Sequence, residues 1–122
     1  MFKEALEKIV EKTDGSIGAL IMGADGLSVE TFFPGGSSET NLDVAAAEFT
    51  SVVQRASKSA ADLDLGKLKE MVIHLDRVTF ILRFFSRDYF VLLALAADGN
   101  VGRARYELRK AELVLAKEFA LN

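Results

Sequence analysis

The chain has 122 residues, enough for one domain, and half of them are apolar, so a sizeable core can be buried. The net charge of −3 lacks the basic excess that favours nucleic acid or an anionic membrane surface. The absence of cysteine excludes disulfides and thiolate metal sites, and it fits a cytoplasmic protein.

The longest apolar run, residues 90–97, is far short of the ~20 residues of a membrane-spanning helix. The first residues do not form a signal peptide. We expect one domain over residues 1–122, without nucleic-acid binding or direct membrane insertion.

The first third of the chain predicts a helix followed by a hairpin. Apolar residues recur at helical spacing over residues 2–12, and Gly15 can end that helix. Residues 16–23 are apolar on both faces, which is typical of a strand covered on both sides. Asp25-Gly26 predicts a tight turn into a second strand over residues 27–33, whose sides alternate in polarity. Residues 34–38 have the composition of a loop.

Residues 40–65 predict the longest helix. Thr40 with Asp43 resembles a capping box, and Gly66 is expected to end the helix. The spacing of its apolar residues predicts the side that faces the core. That side consists of Leu42, Ala45, Phe49, Val52, Val53, Ala56, Ala60 and Leu63.

Three strands are predicted next, over residues 68–75, 78–85 and 89–96, with links short enough for hairpins. Asn100 then caps a last helix over residues 101–119. Strands that are apolar on both faces belong in the middle of a sheet, and alternating strands suit its edges. The sequence therefore predicts an α+β fold of order α-β-β-α-β-β-β-α. Its five-stranded antiparallel sheet has the order 2-1-5-4-3 and lies between helices in three layers (α/β/α).

This order of elements, together with residues 18–27, residues 99–108 and the alanine-rich central helix, resembles the roadblock family of dynein-light-chain-like proteins. The resemblance covers nearly the whole chain. It implies a profilin-like fold and a homodimer in which the third strands pair edge to edge and the central helices lie side by side. It also implies, for a bacterial or archaeal member, pairing with a small Ras-like GTPase as regulator or docking platform.

The third strand is the candidate dimer edge, because an exposed apolar edge must be paired or covered. The predicted interface residues there are Leu68, Met71, Val72, Ile73, His74 and Leu75. A monomer whose edge is guarded by Lys67, Lys69 and Glu70 is the alternative, and the residues alone do not decide between the two. Proline at position 73 is expected to remove a ladder donor and break the pairing. Two His74 side chains meeting at the dimer axis would make the dimer sensitive to pH.

Two further surfaces are predicted on the central helix. Small residues on a strip beside the core face would let a second helix approach, although alanine is also simply a good helix former. With one neighbouring valine, this strip comprises Ala46, Thr50, Val53, Ser57 and Ala61. The outer face is a candidate for partner contact or an ordinary solvated face, and it carries Glu48, Ser51, Gln54, Arg55 and Lys58.

Catalytic and metal chemistry find no support in the sequence. His74 is the only histidine, so neither a triad nor a histidine metal site can be assembled. Residues 99–103 lack the phosphate-loop pattern, and Arg55 lies mid-helix, where an arginine finger is unfavourable. We therefore expect no catalytic residue, metal or cofactor, and a homodimeric adaptor or regulator of a small Ras-like GTPase. The alternatives are a scaffold without a GTPase and a sensor that holds a small ligand among its phenylalanines.

Overall fold

The computed structural model describes residues 2–34 and 39–121, and it confirms the predicted order of elements and of strands. The sheet is antiparallel in the order β2-β1-β5-β4-β3. The elements are α1 (Phe2–Lys12), β1 (Ser16–Gly23), β2 (Ser28–Phe32), α2 (Glu39–Asp62), β3 (Glu70–His74), β4 (Val78–Phe84), β5 (Tyr89–Ala96) and α3 (Val101–Leu121).

The core is divided by the sheet into two clusters. Helices α1 and α3 pack on one face, where Leu6, Leu93 and Leu108 are fully buried. Helix α2 packs on the other face, where Leu20 and Ala46 have no exposed surface. Strands β1 and β5 contribute to both clusters, as their two-sided apolar pattern predicts.

Several predicted boundaries are corrected by the structure. Strand β2 spans Ser28–Phe32 rather than residues 27–33, because Leu27 belongs to the turn, where Gly26 has a φ of 88°, and Phe33 lies beyond the last pair with β1. Strand β3 spans Glu70–His74 rather than residues 68–75, since Leu75 already lies in the link to β4. Strand β4 ends one residue early, at Phe84, and α3 continues to Leu121 instead of ending at residue 119.

Helix α2 also differs from its prediction at both ends. It begins at Glu39, so Thr40 lies in the first turn rather than at the cap. It ends at Asp62, because Asp64 adopts the left-handed conformation with a φ of 56° before Gly66 is reached. Residues 35–38 of the predicted loop lie outside the described residues.

The start of α3 is fixed by a cap that the sequence predicts correctly. Asn100 Oδ1 accepts a hydrogen bond of 2.9 Å from the backbone N–H of Arg103. The turn before β1 packs against this cap, and a Cβ on Gly15 would lie 2.6 Å from Gly99 Cα. Gly15 also has a φ of 85°, so both its conformation and the close approach favour glycine.

Candidate protein-interaction surface

Strand β3 forms one edge of the sheet, and within the described residues it pairs with β4 alone. In an antiparallel ladder, every second opposed pair exchanges both backbone hydrogen bonds. Leu75 N donates to Val78 O (2.9 Å) and Phe84 N donates to Lys69 O (3.0 Å), which identifies the bonded pairs. By the same register, the Ile73 and Phe80 pair is a bonded one. The N–H and C=O groups of Glu70, Val72 and His74 therefore point away from β4.

This register corrects the predicted role of the Ile73 backbone. Its N–H faces Phe80 inside the protomer and is not offered to a second chain. Proline at position 73 would therefore disturb the protomer's own ladder first. The outward donors nearest the middle of the edge belong to Val72 and His74.

The side chains of β3 alternate between the two faces of the sheet. Met71 and Ile73 are half-buried against the cluster beneath α2, and Leu68 packs there as well. Val72 and His74 are exposed, and Leu75 is exposed in the link that follows. The predicted edge residues therefore lie together around a strand that is open on one side.

Glu70 is not the exposed edge guard that the monomer alternative requires. Its side chain is only 12% exposed, and its two oxygens accept hydrogen bonds from Arg83 Nη1 (3.2 Å) and Arg105 Nε (2.6 Å). Arg83 Nε also donates to Glu112 Oε1 at 2.6 Å. This network connects β3 through β4 to α3, and its parts lie too far apart in the chain for spacing to reveal it. Only Arg83, the one charged residue of a largely apolar strand, signals it in the sequence.

The electrostatics of this network are governed by Arg83. Burial by itself lowers the pKa of the guanidinium, but hydrogen bonds and charge from Glu112 and then Glu70 outweigh it and raise the pKa. The cation is therefore held by its two carboxylates. Strand β3 is consequently held to the rest of the protomer along its β4 side and through Glu70, whereas its other edge has no partner strand within the described residues.

The predicted small-residue strip on α2 is only partly at the surface. Ala46 and Val53 are 0% and 1% exposed, so both belong to the protomer's own core and cannot contact a second helix. Thr50 lies beside Gly26, and Ser57 and Ala61 face a groove near residues 66–69. This flank of α2 therefore faces other parts of the same protomer.

The opposite flank of α2 exposes apolar surface that the sequence assigned to the core. Val52 and Leu63, the second just after the helix, are 46% and 67% exposed. At about 100° per residue they lie within ~20° of each other around the helix axis. Helical periodicity fixes the centre of the apolar side, but residues at its margin can be either covered or exposed.

The predicted outer face of α2 is exposed throughout, and three of its five side chains make a hydrogen bond or an ion pair within the protomer. Gln54 Nε2 donates to Ala24 O (2.7 Å), which ties the helix to the turn between β1 and β2. Lys58 forms an ion pair of 2.8 Å with Asp62 one turn later. Glu48 and Arg55 leave their side chains in solvent, whereas Ser51 Oγ donates a hydrogen bond to Glu48 O at 3.1 Å.

Comparison with solved structures gives the same fold in several bacterial proteins. No protein-family model and no curated protein matches the chain. The Roadblock/LC7 domain from Streptomyces avermitilis superposes with a TM-score of 0.83 at 12% identity, over 98% of this chain and 97% of that one. The gliding protein MglB of Thermus thermophilus gives 0.82 at 18% identity, over 94% and 85%. Likeness at these identities shows the fold.

MglC from Myxococcus xanthus is similar in sequence as well. It shares 33% identity over 96% of this chain and 98% of its own length, with a TM-score of 0.74. The chain belongs to the Roadblock/LC7 family. The predicted resemblance to the roadblock family is thus confirmed for the chain as a whole.

The remaining chemical candidates in this roadblock domain are structural or solvated. The basic residues of α3 are largely paired, with Arg103 on Glu107 (2.7 Å) and Arg105 on Glu70. Among residues 2–34 and 39–121, no three His, Asp or Glu side chains are grouped so as to hold a metal ion. None of the helices described is both long and apolar enough to cross a membrane.

Proposed function

We propose that this roadblock domain is a cytoplasmic homodimer that serves as an adaptor or regulator of a small Ras-like GTPase, with no reaction or cofactor of its own. The family resemblance supports the GTPase as partner, and 33% identity to MglC over almost the full length supports a bacterial regulatory role. The open edge of β3 carries the dimer part of the proposal.

The proposed dimer axis passes beside β3. Antiparallel pairing of two β3 edges would satisfy the outward backbone groups of Val72 and His74 and would close the arrangement about a two-fold axis. Exposed apolar surface at Val52 and Leu63 would be covered by the second protomer's α2. The helix contact thus moves from the predicted strip to the opposite flank of α2.

The proposed GTPase contact is the outer face of α2, doubled by the dimer. Glu48, Ser51 and Arg55 are exposed there and make no ion pair within the described residues. Arg55 lies in the rigid middle of a helix, so it would bind the partner's surface and help order its switch regions, without entering the nucleotide site.

Nucleotide-dependent binding tests this proposal. The wild type should have a mass in solution of about twice 13.3 kDa and should retain a Ras-like GTPase from the same genome in one nucleotide state. Arg55→Glu should lower that binding at least tenfold, because it reverses a charge at the centre of the outer face. Titration calorimetry with GDP-loaded and GTP-analogue-loaded GTPase measures both effects.

The matched control is Lys117→Glu, an equal charge reversal on exposed α3. It should leave binding unchanged. If both variants lose the same amount of GTPase affinity, the effect comes from net charge, and the outer face of α2 is not the GTPase contact. A dimer that binds the GTPase in neither nucleotide state would support the scaffold alternative instead.

A further inference from the structure

A groove open to solvent lies between the C-terminal half of α2, the segment that leads into β3, and the turn between β4 and β5. Its floor is apolar, formed mainly by Leu68 and Phe84, and Ser57 and Ala61 form the wall on α2. Phe84 N donates to Lys69 O at 3.0 Å, which fixes one side of the groove to the sheet. One wall of the groove is therefore helical and its floor is tied to the sheet at Phe84, whereas residues 66–69 and 85–87 are loop segments.

The charged side chains that line this groove are all cationic. Lys67, Lys69 and Arg87 line it, all three are exposed, and none of its described lining residues is acidic. The chain as a whole carries −3, so the cluster runs against the overall balance. Asp62, which follows the lining residue Ala61 on α2, forms an ion pair with Lys58 at 2.8 Å. Within the described residues these three cations form no ion pair with the protomer's own carboxylates.

We propose that this groove binds an acidic segment of a partner protein that carries an apolar anchor residue. Three cations above an apolar floor match carboxylates spaced on either side of a buried aliphatic or aromatic side chain. A small inorganic anion would use the cations but leave Leu68 and Phe84 exposed. The combination therefore selects a peptide segment over a free anion.

This binding site is separate from the outward backbone groups of β3 and from the outer face of α2, which carry the proposed function, although its lining includes Leu68, Ser57 and Ala61 from the predicted dimer surfaces. The cations at 67 and 87 lie outside β3, and the outer face of α2 points elsewhere around the helix axis. The site does not depend on the partner being a GTPase. It can be tested even where dimer formation or GTPase binding fails.

A labelled peptide provides the direct test. The probe is a fluorescein-labelled peptide of alternating glutamates around a central Leu-Phe pair, and fluorescence anisotropy measures its affinity for the full chain. Binding should weaken with added salt, because exposed charges are screened. Lys67→Glu with Arg87→Glu should lower the affinity at least tenfold, and both positions lie in loops, away from the ladder of β3.

Two controls make the result decisive. Lys3→Glu with Lys117→Glu changes the net charge equally on exposed positions of α1 and α3 and should leave the affinity unchanged. A peptide with Ser-Ser in place of Leu-Phe should bind at least fivefold more weakly. Unchanged circular dichroism and thermal unfolding would show that the variants fold. Equal loss in both double variants, or equal binding of the two peptides, would overturn the proposal.

Discussion

The face of the sheet under α1 and α3 is closed by two helices, whereas α2 alone covers the opposite face. On the first face the rings of Phe2, Phe85 and Tyr89 surround Phe119, each at 4.8 Å between centroids. Both faces have half-buried apolar residues at their margins, but on the second face two of them, Met71 and Ile73, lie on the open edge strand β3. A single helix is too narrow to cover five strands, so one margin of this face stays open.

The hydrogen bonds and ion pairs that hold the two helix layers to the sheet also differ in burial. Arg83 connects α3 to β3 and β4 through carboxylates that are mostly buried. Helix α2 is tied to the turn at Ala24 by Gln54, through an exposed hydrogen bond. Bonds in water-accessible positions contribute little to stability. The polar contacts of the closed face therefore contribute more to the stability of the protomer than those of α2, and the open margin beside α2 is available for assembly.

The largest expected effect is on stability, and it is tested by replacing one buried leucine with alanine on each face of the sheet. Leu108→Ala on the closed face should reduce the free energy of unfolding by roughly 3–5 kcal/mol, because the cavity lies among fully buried neighbours that cannot collapse. Leu42→Ala, on the side of α2 that faces the sheet, should reduce the free energy of unfolding by at least about 1 kcal/mol less than Leu108→Ala. The reason is that Leu42 lies near the helix start, where its surroundings can relax. Urea unfolding at one protein concentration measures both.

Leu113→Ala is the control for helix propensity in α3. Leu113 is 73% exposed, so its truncation should change stability by no more than about 0.5 kcal/mol. Equal losses for Leu108→Ala and Leu42→Ala would mean that both faces are packed equally tightly, and the contrast between them would be wrong.

The sequence was sufficient for the elements whose burial is complete. Two-sided apolar runs place β1 and β5 at the centre, and the Asn100 cap fixes the start of α3. It was insufficient at margins, where Val52 fits the core pattern but lies at the surface and Ala46 fits a contact strip but lies in the core. Periodicity gives the direction of a helix face, and the width of that face depends on tertiary neighbours.

Contacts between distant parts of the chain were the other limit. Arg83 meets Glu70 and Glu112 only because the hairpin and α3 bring them together, so no local spacing predicts the network. The direction of the Ile73 N–H likewise depends on register with β4, which the sequence pattern leaves undetermined.

The second prediction concerns the ion-pair network of Arg83 on the closed face. Arg83→Met should cost about 2–3 kcal/mol in urea unfolding, because Glu70 at 12% exposure loses one of its two cationic partners. Arg105→Met, at a side chain that is 50% exposed, should cost less than about 1 kcal/mol. The double variant Arg83→Met with Glu70→Met should recover part of the loss. Equal costs for Arg83→Met and Arg105→Met would show that burial does not strengthen this network.

The smallest expected effect on the protomer, and the sharpest on assembly, comes from proline on the open edge. Val72→Pro removes an N–H that points away from β4, and proline is tolerated on edge strands where the missing donor faces outward. The protomer should keep its fold, while the dimer dissociation constant should rise at least tenfold, or about 1.4 kcal/mol. Sedimentation over a range of protein concentrations measures the constant, and circular dichroism reports the fold.

Ile73→Pro is the matched comparison, because it puts the same residue one position along the same strand. Its lost N–H belongs to the ladder with Phe80, so it should destabilise the protomer itself and lower its unfolding midpoint. If β3 pairs two protomers, Val72→Pro should therefore weaken the dimer without unfolding the protomer, whereas Ile73→Pro should destabilise the protomer itself. A Val72→Pro protein that stays dimeric at the wild-type concentration would move the dimer axis away from β3, and it would leave the flank with Val52 and Leu63 as the surface to test next.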